Sequence, residues 1–199
     1  MRKTREERLQ EIWKAANEIF VEKGFHRTTM EDIINKTELS KGGLYHYYNN
    51  TKEILVDMMR AGNIYYMRFN PFMLKIDQAK SQEEKIDIVM DAFMDKALAV
   101  TDSKKVYTMF VHETLYDSKV WEVYLSLEEE FLNYLCQKLD IDFKKNKHEL
   151  LLLSRLVNAL LFSQHISRDP DVLLNQQETL KVLFRPLFEK IISSKALDK

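Results

Sequence analysis

Ser40-Lys41-Gly42-Gly43-Leu44-Tyr45-His46-Tyr47-Tyr48 is the stretch on which the reading of this chain turns. Serine is a preferred helix N-cap, because its hydroxyl accepts a bond from one of the unpaired N–H groups of the first turn. Ser40 therefore predicts a short helix over about 41–48. Residues four apart share a helical face. Leu44 and Tyr48 then point, with Leu39, at a core. Lys41 with Tyr45, Gly42 with His46, and Gly43 with Tyr47 form three columns open to a partner. Each glycine costs a helix about 1 kcal/mol, and close approach of a partner to the helix start is a reason to keep them.

The flanking sequence completes a small module. Upstream, Thr28 and Thr29 offer an N-cap for a helix through Lys36, with Met30, Ile33 and Ile34 facing inward. Before it, Thr4 and Glu7 have the spacing of a capping box. They open a helix to Lys23 striped by Leu9, Ile12, Trp13, Ala16, Ile19 and Phe20, with Gly24 at its C-terminal cap. Downstream, Asn50 or Thr51 caps a fourth helix that carries Ile54, Leu55, Met58 and Met59 and stops before Pro71.

Two short helices joined by a tight turn within three packed helices set the second helix in the major groove of DNA. In that geometry Lys41, Tyr45 and Tyr47 donate to phosphates and His46 reaches a base edge. Thr28, with Thr29 beside it, lies at a helix N-terminus, whose N–H groups favour a phosphate. Lys52, at the start of the fourth helix, meets a phosphate on the other side. Helical patterning alone leaves a protein partner open as well, since amphipathic three-helix modules also occur in proteins that never touch DNA.

Charge restricts how such binding works. The chain of 199 residues has a formal charge of −1. Residues 1–60 carry a net +1 and the remainder −2. The basic domain common among DNA binders is missing, so contact depends on local placement. Arg2, Lys3, Arg5 and Arg8 supply one such cluster at the N-terminus.

The rest of the chain reads as helix. Its four glycines all fall at or before residue 62, and prolines occur only at 71, 170 and 186. Ser81 with Glu84 opens a helix striped by Ile86, Val89, Met90, Phe93, Met94, Ala97 and Leu98. Further helices are expected at about 104–116, at 118–139, from Asn146 with Glu149 to Ser167, and from Asp169-Pro170 to about 192, the last kinked or interrupted by Pro186. That makes an all-α chain of about nine helices. A single cysteine, Cys136, suits a reducing compartment. No signal peptide precedes the first helix and no apolar run reaches membrane-spanning length, so a cytoplasmic protein is expected.

Over residues 8–55 the chain resembles the DNA-binding domain of TetR-type transcriptional regulators. The resemblance rests on Ala15-Ala16 with Ile19-Phe20, Gly24-Phe25 with Thr28-Thr29, Asp32-Ile33, Ser40-Lys41-Gly42 with Leu44-Tyr45-His46-Tyr47-Tyr48, and Lys52-Glu53 with Leu55. It implies DNA-contact positions at Thr28, Lys41, Gly42, Tyr45, Tyr47 and Lys52, and core positions at Phe25 and Tyr48. The chain departs from the family with Ile34 and Thr37 where alanine is usual, Glu38 where glycine is usual, and a longer link at Asn49-Asn50.

The resemblance further implies a helix-turn-helix domain over 1–50, a connecting helix over 51–70, and a ligand-binding and dimerisation domain over 71–199. A homodimer would form through the helices at 147–167 and 170–192, and the apolar character of both agrees. Operator DNA and a small-molecule effector are the implied partners. Aromatic and methionine residues that fit an apolar effector pocket are Tyr66, Phe69, Met73, Phe93, Met94, Phe110, Trp121 and Tyr124. Asn158, His112 and Glu113 are candidate polar anchors, and core packing is the competing role for each residue.

The expected function is a sequence-specific, homodimeric repressor released from its operator by a largely apolar ligand. The alternatives are an activator, a ligand-independent regulator, a helical enzyme or a protein-binding adaptor. An enzyme has little support, because no Gly-rich loop, nucleophile elbow, His pair four apart or Cys cluster is present. No cofactor and no metal site is expected.

Overall fold

The structure is a computed structural model that describes residues 3–167 and 169–193. Among these residues the regular elements are α1 (Arg5–Lys23), α2 (Met30–Asn35), α3 (Lys41–Tyr45), α4 (Thr51–Phe69), α5 (Pro71–Gln78), α6 (Gln82–Leu98), α7 (Asp102–Glu113), α8 (Ser118–Leu139), α9 (Phe143–Ile166), α10 (Asp171–Leu174) and α11 (Gln177–Ser193). A single 3₁₀ turn spans Phe25–Arg27. The architecture is all-α, as the spacing predicts, and no helix of the described residues is long and apolar enough to cross a membrane.

Local chemistry places most boundaries. Thr4 and Glu7 form both halves of the capping box of α1, and Gly24 ends that helix with a φ of 84°, in the region that favours glycine. Thr29 and Asp32 do the same for α2. Asn50 Oδ1 accepts the Glu53 N–H at the start of α4. Ser81 and Thr101 cap α6 and α7.

α3 ends at Tyr45 rather than near Tyr48, and the larger differences from expectation lie beyond residue 69. Pro71 ends α4 but also starts α5, because Asn70 Oδ1 accepts the Phe72 N–H and proline suits the first helical position. α9 begins earlier than expected, capped by Asp142 through the N–H groups of Lys144 and Lys145. Asn146, expected as that cap, is buried within the helix and donates to the Asp142 carbonyl. The helix expected from Asp169-Pro170 is broken at Asn175-Gln176 into α10 and α11. Pro186 does not interrupt α11. Burial of Phe184 and Phe188 on either side holds that segment against the core. The short α5 and α10 thus exceed the expected set.

The chain forms two compact units that do not follow chain order. One comprises residues 1–62 with 101–124, the other 63–100 with 125–199. In the first, α1 packs on α2 and α7, with Ile12, Phe20, Ile33, Leu44, Ile54, Leu55, Val106 and Phe110 fully buried. In the second, α6 packs against α5, α9 and α11. Its core is built from Met73, Val89, Met94, Leu135, Leu153 and Phe188. Arg185 pairs with Asp87, and Lys181 with Asp91 at 2.8 Å, which fixes α11 against α6. Cys136 lies in this core, and burial pushes its thiol up to about 11.

Asp32 provides a measurable check on the first unit. Its carboxylate accepts the Lys23 ammonium at 2.5 Å and the Thr29 N–H at 2.7 Å. Lys23 first, and then Thr29, hold it down at about 2 against an ordinary 3.8. A lowered pKa means the charged form is favoured in the folded state. The contribution is therefore complete above the ordinary value and lost as pH falls through about 2. An NMR titration of the Asp32 carboxyl carbon is expected to centre near 2, and Asp32→Asn should flatten the fall in stability between about pH 4 and pH 2.

Candidate nucleic-acid interface

The placement of α3 follows from two side chains. Leu44 is fully buried and Tyr48, just beyond the helix, nearly so. Residues 46–48 continue the helical turn, with Tyr48 N–H donating to the Leu44 carbonyl. The Tyr48 hydroxyl accepts from Trp13 Nε1 at 2.9 Å and donates to Asp57 Oδ2 at 2.5 Å. Burial, together with the neighbouring Asp57 carboxylate, pushes the phenol well above its ordinary range, so it keeps the proton it donates. One side chain thus ties the end of α3 to α1 and α4.

The opposite face is open. Lys41, Gly42, Tyr45 and His46 are exposed, Tyr45 to 44%, and Gly43 and Tyr47 are half-buried. The His46 and Tyr47 rings meet edge to face at 5.4 Å. The face expected to meet DNA is therefore the face presented to solvent. The two glycines differ in kind. A Cβ at Gly43 would lie 3.3 Å from Leu39 Cδ2 and from the Ser40 hydroxyl, whereas one at Gly42 would meet nothing within 4 Å. Gly43 has a packing reason, and Gly42 has none within its own chain.

The turn before α3 is held by a cluster of charges. Glu11 Oε1 accepts the Glu38 N–H at 2.7 Å, and its Oε2 takes Lys3 at 3.1 Å and Arg8 at 2.8 Å. Lys3 and Arg8 also reach the Glu38 carboxylate. Burial pushes the Glu11 carboxyl up, but the Glu38 N–H and the two cations outweigh it and hold it below its ordinary value. Of the N-terminal basic cluster, Lys3 and Arg8 are thus engaged within the chain, Arg5 is exposed, and Arg2 lies outside the described residues. Thr37 bonds the Ile34 carbonyl and the Leu39 N–H. Among the described residues Asp140 is the only non-glycine with positive φ, so Glu38 occupies its position without left-handed strain.

The remaining candidates divide. Thr29 is exposed at the start of α2. Thr28 is buried and its hydroxyl donates to the Gly24 carbonyl at 2.9 Å, which turns that side chain inward. Lys52 pairs with Asp117 at 2.5 Å, a partner 65 residues away that local spacing does not reveal. Lys52, with the backbone N–H groups of Val120 and Lys119, holds the Asp117 carboxyl below its ordinary range.

The effector-pocket candidates fall in both units. Phe110, Trp121 and Tyr124 belong to the first, where Trp121 stacks on Tyr124 at 5.5 Å. Tyr66, Phe69, Met73, Phe93, Met94 and Asn158 belong to the second. Met73, Phe93 and Met94 are buried in its core, and Tyr66 packs at the edge of that core, its phenol raised by burial and by Asp95. Phe69 is exposed and Asn158 is buried.

Residues 12–58 match the model of the family described as bacterial regulatory proteins, tetR family. The uncharacterized HTH-type transcriptional regulator YfiR of Bacillus subtilis (strain 168) is 36% identical over 58 residues, which cover 29% of this chain and 28% of that protein. The HTH-type transcriptional regulator SrpR of Pseudomonas putida is 26% identical over 135 residues, 67% of this chain and 60% of SrpR. The matches span less than two thirds of either relative's length. Among solved structures, Salmonella enterica GusR superimposes with a TM-score of 0.67 over 91% of this chain and 95% of its own, at 14% identity, a likeness of fold.

The glycine contrast yields a stability test. Replacing Gly42 by alanine removes backbone freedom from the unfolded chain with no clash in the folded one. Gly42→Ala is expected to raise stability by up to about 1 kcal/mol in urea unfolding. Gly43→Ala should gain less or lose, because Leu39 has to give way.

Proposed function

We propose that this chain, which belongs to the tetR family of bacterial regulatory proteins, is a homodimeric repressor that grips operator DNA with α3 and is released by a small, largely apolar ligand. Members of the family are transcriptional regulators, not enzymes. The observation that carries the reading is the division of the segment 41–48 into a buried pair, Leu44 and Tyr48, and an exposed Lys41, Gly42, Tyr45 and His46 beside a half-buried Tyr47. In this reading Lys41, Tyr45 and Tyr47 bind phosphates, His46 meets a base edge, Gly42 and Gly43 allow close approach, and the backbone at Thr28 and Thr29 faces a phosphate. Lys52 reaches DNA by exchanging Asp117 for a phosphate.

The dimer is proposed from surface chemistry. On α9, Leu152, Leu156, Ala159, Ser163 and Ile166 are exposed at alternating steps of four and three, the spacing of a helix–helix seam. Leu152 is 51% and Ile166 77% exposed. Val182, Leu183 and Pro186 extend an exposed apolar face along α11. The inward faces of both helices already fill the core, so the outward faces need a second copy, and four helices across a two-fold axis supply it. The segments 147–167 and 170–192 are the proposed interface. Two copies of α3 would then sit about 34–36 Å apart, one turn of DNA. α4 and α8 each contribute residues to both units, so effector binding acts on the spacing through continuous helices. A coupling of about 1–3 kcal/mol lowers operator affinity roughly 5- to 150-fold. The domain roles proposed are DNA binding for 1–50, connection for 51–70, and effector binding with dimerisation for 71–199.

Fluorescence anisotropy with DNA from the promoter beside the chain's own gene tests the reading. Binding should be sequence-preferring and salt-dependent. Lys41→Ala should weaken binding to all sequences alike and reduce the salt slope by about one per protomer. Unchanged affinity in Lys41→Ala and Tyr47→Phe would remove α3 from the interface. For the dimer, Leu152→Glu with Val182→Glu should sediment as a folded monomer that has lost most of its operator affinity, and a persistent dimer would reject the proposed seam.

A further inference from the structure

We infer that His26, His112 and Glu113 form a site for one divalent transition-metal ion of the class that imidazole and carboxylate share, such as Zn²⁺. The site stands independently of the DNA-binding reading. All three residues belong to the first compact unit. Glu113 is the last residue of α7, and only 4% of it is exposed. His26 sits in the 3₁₀ turn between α1 and α2. Glu113 Oε1 lies 2.8 Å from His26 Nε2 and 3.8 Å from His112 Nδ1, and the three ligand atoms all fall within 4.8 Å of one another.

Bonds of about 2.0–2.2 Å to a tetrahedral ion put neighbouring ligand atoms roughly 3.4 Å apart. The observed separations bracket that value. The adjustment required falls on the movable members, because the His26 and His112 side chains are 66% and 47% exposed while Glu113 is fixed by burial. Aromatic neighbours orient both imidazoles. Phe25 meets His26 at 5.5 Å, Tyr116 meets His112 at 5.3 Å, and the two imidazoles face each other edge-on at 6.3 Å. Exposure of the histidines leaves a path for the ion and room for a water at the remaining position.

The chemistry explains a costly arrangement. A buried carboxylate needs strong compensation for lost hydration. An imidazole N–H supplies one hydrogen bond, whereas a divalent ion supplies two positive charges at bonding distance. Adjacent residues such as His112 and Glu113 diverge on a helix, but here they converge around the terminus of α7 onto His26, 86 residues earlier in the chain. An ion at this point cross-links α7 to the turn that leads into α2.

The full chain, stripped with a chelator, is titrated with Co²⁺ followed by visible absorption and with Zn²⁺ followed by calorimetry and thermal melting. One equivalent per chain is expected, with low-symmetry Co²⁺ bands that Zn²⁺ abolishes and a melting temperature that rises with metal. His26→Ala and His112→Ala, both at exposed positions, should keep the fold by circular dichroism and each weaken binding by at least about tenfold. Glu113→Gln should remove it, and if that variant fails to fold the two histidine variants decide. Absence of saturable binding, or binding unchanged in the double histidine variant, would overturn the site and leave an ordinary His26–Glu113 ion pair.

Discussion

The first unit depends on the burial of one phenol. Tyr48 is the last side chain of the α3 segment to enter the core, and its hydroxyl both accepts from Trp13 and donates to Asp57. α3 is too short to be stable alone, since a helix of one or two turns does not recover its nucleation cost. Its orientation is set from outside, by Leu44 beneath it, Tyr48 behind it and Ser40 in front. The polar face points outward because these three contacts leave no other rotation.

Around that anchor the chain uses its charges internally. Lys3 and Arg8 serve Glu11 and Glu38, Lys36 serves Glu18 and Lys23 serves Asp32. Surface pairs of this kind contribute little each, but together they orient the turn between α2 and α3. The paired cations Lys3, Arg8, Lys23 and Lys36 are structural more than they are a diffuse attraction for polyanions. In the function proposed above, contact with DNA rests on shape and on the few side chains left outward.

What could be read from the sequence was the part governed by neighbours a turn or two away. The capping boxes at Thr4 and Thr29, the stripe of α6, and the inward Leu44 and Tyr48 all follow from three- and four-residue spacing. Pro71 marked the end of α4 correctly but hid the start of α5, because proline suits a first helical position, and Pro186 did not interrupt α11, because buried phenylalanines flank it within the helix. The inward Thr28 hydroxyl was hidden because its acceptor, the Gly24 carbonyl, depends on the intervening 3₁₀ turn. Lys52 with Asp117, and His26 with Glu113, were illegible for a simpler reason. They are 65 and 87 residues apart, and only the packing of residues 101–124 with the N-terminal helices brings them together. Interleaving of 101–124 with the N-terminal residues was equally invisible to a division drawn along the chain.

The position of Cys136 has a practical consequence. It is the chain's single cysteine, enclosed by the core of the second unit, with a thiol that burial keeps protonated. A protonated, enclosed thiol does not react. Labelling must wait for that core to open, so the rate at which a thiol reagent modifies the protein is a clock for opening of the second unit alone. The chain carries, without any engineering, a reporter of the breathing of its second unit.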